Sequence, residues 1–271
     1  MQSGTIEQHF APARDGAQIA YRLHKGTGPA RILMIHALAM NGAFWGEMLP
    51  SLLEFGDVLT PDCRGHGNST KAPGPYSVEQ YADDMADLLD HVGWDNANVA
   101  GASMGGCVAQ AFAGRYPGRI TGLGLIDTTA GYGAAAVSAW EERGQKALAG
   151  GMAALLDFQL SRWVTPAFRD AMPPSLTQAV ATFTANSPTT FIEVCRMLGR
   201  ADTNAVLAGI HVPTAVVVGE EDYATPVVAA QNLAANIPGA ELYILPGYRH
   251  FTVLECPGLV AEKLRHALSA V

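Results

Sequence analysis

Charge is scarce in these 271 residues: Asp, Glu, Lys and Arg make up only 15%, while apolar residues make up 49%. That composition excludes a disordered chain and is ample for a hydrophobic core. Basic residues are the minority, 17 Lys and Arg against 25 Asp and Glu, for a net charge of −8. The acidic balance argues against nucleic acid and against a membrane surface as partners. Cysteine is rare as well. Cys63, Cys107, Cys195 and Cys256 are scattered with no C-x-x-C spacing, which excludes a disulfide framework and points to reduced thiols. No apolar run reaches the roughly 18 residues of a membrane span. The opening MQSGTIEQHFAPARDG has no basic stretch followed by an apolar one, so no export signal is read there and a cytoplasmic location is expected. No His, Cys and Asp cluster has metal-ligand spacing, so neither a metal nor another cofactor is expected.

What is present is an alternation. Short β-branched apolar runs predict buried strands at Ile32–Ile35, Val58–Thr60, Asn98–Ala102, Ile120–Ile126, Thr214–Val218 and Leu242–Leu245. Helical spacing predicts helices between them. Ser77–Val92 opens with Ser77 and Gln80 in capping-box spacing, and Met104–Tyr116 stops before Pro117. Strand–helix alternation implies an α/β fold with a mostly parallel sheet covered on both faces. The alternation breaks after the sixth strand. Residues 130–207 carry helical patterns only, over Ala139–Ala149, Met152–Trp163, Pro174–Thr184 and Thr190–Gly199. The expected organisation is a core over residues 1–129 and 208–271, with 130–207 inserted as a helical lid. An ordinary helical subdomain that only packs is the plainer reading of that insertion.

The sharpest chemical signal is Gly101-Ala102-Ser103-Met104-Gly105, placed between a strand and a helix. A G-x-S-x-G nucleophile elbow needs that context, since a tight turn lifts the serine to the strand tip. The plainer reading is a serine that caps the following helix. A serine hydroxyl is a weak nucleophile and needs a base, which an acid must orient. Asp222 follows the strand Thr214–Val218 and is the expected acid. Glu220, Glu221 and Asp127, the last at the end of Ile120–Ile126, are alternatives. His250 follows Asp222 with room for one helix and one strand between them, which places it in the loop after Leu242–Leu245, and it is the expected base. Oxyanion donors are expected at the backbone N–H of Met104 and, from His36-Ala37-Leu38-Ala39, of Leu38, each worth roughly 3–4 kcal/mol of barrier height. His36 itself reads as a residue that fixes its loop more readily than as a base.

Taken in order, these motifs resemble the α/β-hydrolase superfamily over nearly the whole chain. The resemblance includes His36 with Trp45, Asp62-Cys63-Arg64-Gly65-His66-Gly67-Asn68-Ser69, the elbow, Gly219–Pro226, and His250 with Glu255 and Pro257. Within it the chain is similar to 3-oxoadipate enol-lactonases, through Leu125–Thr129, Arg162-Trp163-Val164-Thr165-Pro166-Ala167-Phe168 and Val212–Gly219. The resemblance implies an eight-stranded α/β-hydrolase fold with a helical lid. It further implies hydrolysis of a small enol-lactone bearing a carboxylate. Two departures stand out. Ala37 occupies a place where the superfamily usually has glycine and allows fewer backbone angles. Arg249 precedes His250 where small residues are common, and reaches either solvent or a substrate anion.

A carboxylate entering a dry pocket needs a cation. The lid offers Arg143, Arg162, Arg169, Arg196 and Arg200. Arg162, beside Trp163 in the lactonase-like segment, is the expected substrate-binding pair with it. Phe158, Phe191 and Met197 line a pocket or form lid core. The partner expected is a small ester or lactone, with a homo-oligomer open. Other chemistries the fold hosts are a general carboxylesterase, a C–C hydrolase, a cofactor-free haloperoxidase or perhydrolase, and a receptor that binds without turnover.

Overall fold

The computed structural model describes residues 7–269; the first six residues, part of the stretch read for an export signal, and the last two lie outside them. The chain opens with β1 (His9–Pro12), β2 (Gln18–His24) and β3 (Ala30–Ile35), then α1 (Leu49–Leu52) and β4 (Gly56–Pro61). Strict alternation follows through α2 (Val78–His91), β5 (Ala97–Ala102), α3 (Met104–Arg115) and β6 (Ile120–Ile126). Five helices then come in succession: α4 (Ala136–Gly150), α5 (Leu156–Trp163), α6 (Pro166–Ala171), α7 (Pro174–Thr184) and α8 (Pro188–Arg200). The core resumes with β7 (Thr214–Gly219), α9 (Val227–Asn236), β8 (Glu241–Leu245), α10 (Thr252–Glu255) and α11 (Pro257–Leu268).

The eight strands form one sheet in the order β1-β2-β4-β3-β5-β6-β7-β8, antiparallel at β1–β2 and β2–β4 and parallel from there on. β3, β5 and β7 are apolar and buried almost throughout, as strands covered on both faces must be. Parallel strands all point their C-terminal ends to one edge, where such folds bind ligands. The ends of β3, β5, β6, β7 and β8 meet there. This is the predicted α/β-hydrolase architecture, with the inserted helices after the sixth strand. Among the described residues, no helix is long and apolar enough to cross a membrane.

Local structure follows the sequence with a few differences. Ser77 caps α2 by accepting from the Gln80 N–H at 3.1 Å, but the Gln80 side-chain oxygen is unpaired, so only half of the capping box forms. The helix expected over Met152–Trp163 opens as a 3-10 turn at Met152–Leu155 after Gly151, whose φ is 73°. Helix α6, where Thr165 caps the Phe168 N–H ahead of Pro166, was not expected. Nor were β1, β2 and α11.

Candidate active site

The turn between β5 and α3 carries the first functional side chain. Ser103 sits at φ 53° and ψ −115°, a backbone conformation strained for any residue with a Cβ. The surrounding glycines permit it. A Cβ on Gly101 would stand 2.1 Å from the Gly105 carbonyl oxygen, and one on Gly105 would stand 2.0 Å from the Ile35 oxygen. The Ser103 N–H is anchored to the Ile126 oxygen at 2.9 Å, which ties the turn to the next strand.

The structure brings Ser103, His250 and Asp222 into one row. Ser103 Oγ lies 2.9 Å from His250 Nε2, and His250 Nδ1 lies 2.8 Å from Asp222 Oδ2. All three are buried. Asp222 stands in the loop after β7, where Oδ1 accepts the N–H groups of Ala224 and Thr225 and Oδ2 accepts the Thr225 hydroxyl. Burial alone would raise its carboxyl. The charge and hydrogen bond of His250 and the donors from Thr225 outweigh that and hold it below the ordinary carboxylate range. An ionised Asp222 bonded to Nδ1 leaves Nε2 to accept the Ser103 proton.

The alternative acids are elsewhere. Asp127, at φ 46° on the tip of β6, accepts the Gly219 N–H on one oxygen and the N–H and hydroxyl of Thr252 on the other. Its burial and the nearby charge of Asp222 push its carboxyl well above the ordinary range. Glu220 accepts the Gly247 N–H at the surface, and Glu221 faces Arg249.

Leu38 and Met104, the expected oxyanion donors, flank Ser103. Met104 is the first residue of α3, so its N–H has no intrahelical partner. Leu38 lines the cavity with Ser103. The left-handed residue of this loop is Ala39, at φ 59°, and Ala37 is not among the positive-φ positions. The missing glycine at Ala37 therefore imposes no strain. Asn186 donates to the Ala39 oxygen at 2.8 Å and holds the loop from the inserted segment. His36 fixes the same loop. Its Nδ1 donates to the Ala37 oxygen and its Nε2 accepts the Cys63 N–H, both at 2.8 Å. Arg64 is structural, with its guanidinium between Asp84 and Asp15.

A cavity of about 210 Å³ opens over Ser103 and His250. Its walls include Trp140, Trp163 and Phe251, with Arg143 and Arg162 reaching in from the inserted helices. Trp163 stacks on Phe251 at 4.7 Å between centroids, and Phe251 stacks in turn on the His250 ring at 5.6 Å. The Arg162 guanidinium donates to the Tyr223 carbonyl. Arg143 lies over the Trp140 ring at 4.2 Å and beside Phe158 at 5.1 Å. Among the described residues it has no carboxylate or hydrogen-bond partner. Burial, with the charge of Arg162 acting the same way, pulls it below the ordinary arginine range. The remaining arginines of the inserted segment are engaged elsewhere: Arg196 with Glu141 and Glu193, Arg169 with Asp170, and Arg200 on the Tyr76 oxygen. Phe191 and Met197 are buried in the core of the inserted segment, whereas Phe158 is half-exposed beneath the two guanidiniums.

Arg143 was one of the four arginines passed over in the sequence in favour of Arg162, and its spacing of three from Trp140 on one helix face was the signal that could have singled it out. Tyr132, Trp140 and Gln159 on the cavity wall were missed altogether. Arg249 takes neither of its expected roles. It donates to the Ser161 and Val164 oxygens and pairs loosely with Glu221, fastening the His250 loop to the inserted segment. Glu255 does the same from its other side. One oxygen accepts the N–H and hydroxyl of Thr165 and the other the Arg249 N–H. The lactonase-like segment at Arg162–Phe168 and the Glu255 motif are thus two halves of one contact.

The comparisons agree with this architecture. Residues 30–149 match the family model described as the alpha/beta hydrolase fold, and the chain belongs to the α/β-hydrolase superfamily. It is 29% identical over 240 residues to the 3-oxoadipate enol-lactonase 2 of Acinetobacter baylyi, an alignment covering 89% of this chain and 87% of that one. The crystal structure of the enol-lactonase from Burkholderia xenovorans LB400 superposes with a TM-score of 0.90 at 30% identity, covering 96% of this chain and all (100%) of that one. Est816, an N-acyl homoserine lactone degrading enzyme, superposes with a TM-score of 0.80 at 29% identity, over 95% and 99% of the two chains.

Proposed function

We propose that the protein is a serine hydrolase that opens a small lactone, or cleaves a small ester, carrying a carboxylate, as the enol-lactonases it resembles are named for doing. His250 takes the Ser103 proton at Nε2 as Oγ attacks the carbonyl carbon. Asp222 holds the Nδ1–H tautomer and stabilises the imidazolium that forms. The tetrahedral oxyanion is received by the N–H groups of Leu38 and Met104. Collapse breaks the C–O bond, and the leaving oxygen, tethered in a lactone, takes the proton from His250. Water deprotonated by His250 then cleaves the Ser103 acyl ester and restores the serine. Trp163 and Arg162 form the wall against which the substrate lies, and residues 130–207 serve as the lid that excludes water.

The observation that carries this reading is the Arg143 guanidinium, partly buried on the wall of the Ser103 cavity with no acidic partner. A partly buried cation with no anion beside it favours a ligand that supplies one. The test compares kcat/KM for a carboxylate-bearing enol-lactone with that for p-nitrophenyl butyrate. A preference of about 10³ for the lactone, roughly 4 kcal/mol of transition-state discrimination, is expected. Comparable rates would make the protein a general carboxylesterase. A fluorophosphonate probe should label the wild type and not Ser103→Ala; label surviving in that variant would remove Ser103 from the mechanism.

A further inference from the structure

Helix α5 turns a buried face to the cavity, and one of its two buried residues is polar: Gln159, with Trp163 one turn on. Gln159 is 5% exposed and lines the cavity together with Ser103, His250, Arg143 and Arg162. Among the described residues its amide has no hydrogen-bond partner. The sealed unpaired side-chain atoms lie elsewhere, at His24 Nδ1, Trp45 Nε1 and Gln80 Oε1. The Gln159 amide differs from these in opening on the cavity. Leaving a buried amide unpaired is unfavourable, and a leucine or methionine would fill this helix face without that cost.

A carboxylate only accepts hydrogen bonds, and two guanidiniums already supply more donors than it can use, even with Arg162 engaged on Tyr223. A neutral amide that both donates and accepts adds nothing needed for an anion. It suits an uncharged oxygen. We propose that Gln159 is a specificity-determining residue that reads an uncharged ether, hydroxyl or carbonyl oxygen between the scissile carbonyl and the carboxylate. The substrate class is then an oxygenated acid ester or lactone rather than one with a plain hydrocarbon chain. This rests on the reading of the cavity as the site for a carboxylate-bearing substrate.

The test uses p-nitrophenyl monoesters of glutarate and adipate, with counterparts in which an ether oxygen replaces each inner methylene in turn. Each pair is also prepared with the free carboxylate capped as its methyl ester. kcat/KM is measured for wild type and Gln159→Met, with Gln159→Leu used where the methionine variant does not fold. The expected result is a fall of five-fold or more in the oxa-to-methylene ratio at one position. Intrinsic reactivity cancels in that comparison. A smaller change at every position, or an equal loss on both members of each pair, overturns the proposal. Failure of the underlying reading looks different: wild type would hydrolyse free and capped esters alike, while the Gln159 ratio would still be measurable on the capped series.

Discussion

Asp127 and Asp222 lie at the C-terminal ends of adjacent parallel strands, β6 and β7, yet only Asp222 bonds the His250 imidazole. Asp127 holds the frame instead, joining Gly219 at the base of the Asp222 loop to Thr252 just past His250. Asp222→Asn should therefore lower kcat by about 10³–10⁴, because the amide favours the wrong imidazole tautomer. Asp127→Asn should leave the Ser103–His250–Asp222 row intact and cost about 1–3 kcal/mol of stability through the lost Thr252 contacts. Urea midpoints and kcat on one ester separate the two. An Asp127→Asn loss as large as that of Asp222→Asn, with the fold intact, would contradict the assignment.

Gly105 has no room for a side chain. Its Cβ would meet backbone oxygen, from Ile35 at 2.0 Å and from His36 at 2.7 Å. Gly106 faces the Thr128 side chain at 2.4 Å, a group with some freedom to turn. Gly105→Ala should destabilise by about 3 kcal/mol or more, and Gly106→Ala by less, since overpacking against fixed backbone is relieved only by moving strands. Thermal melts of the two variants would rank them, and the reverse order would mean that β3 yields more readily than this packing allows.

The strands that carry the chemistry were legible because a buried parallel strand is a short unbroken apolar run, as in Thr214–Gly219. β1 was not, because it is an edge strand with one buried residue in four and Pro12 at its end. In β2 the buried stretch is mixed with Arg22 and His24. The Ser103, Asp222 and His250 positions were legible from their order and their place after strands. The unpaired state of Arg143 was not, because sequence does not reveal which arginines of the inserted segment find carboxylates. Arg196 meets Glu141 from 55 residues away, a pairing that no local pattern announces. Cavity-facing polarity at Gln159 was hidden for a similar reason: a lone glutamine in a helix usually faces solvent.

Arg143 and Arg162 should separate on mutation. Arg143→Met keeps much of the stem that packs on Trp140 and removes only the charge. It should lower kcat/KM for the carboxylate substrate by roughly 30–100-fold, about 2–3 kcal/mol, and leave p-nitrophenyl butyrate within a factor of about three. Arg162→Met also removes the contact with the Tyr223 carbonyl beside Asp222, so it should slow both substrates. Equal effects of Arg143→Met on both would mean that the arginine serves packing alone.

Acid stability should be governed in part by a buried histidine pair. The His36 and His66 rings lie 5.0 Å apart, edge to face, and both are fully buried. Burial holds His36 down to about 4, despite its bond to the Ala37 oxygen. Burial and the neighbouring His36 hold His66 down to about 3. Both are therefore neutral in the fold, while in the unfolded chain they take up protons near pH 6.5. The unfolded state binds more protons below that point, so stability is full above about pH 6.5 and falls as the pH drops toward the folded values. The loss should reach about 3 kcal/mol per histidine near pH 4. Urea denaturation from pH 7.5 to 4 would measure it. His66→Gln, whose amide can donate to the Arg64 oxygen as the ring does, should flatten the decline between pH 6.5 and 4. An unchanged slope in that variant would assign the acid sensitivity to the carboxylates.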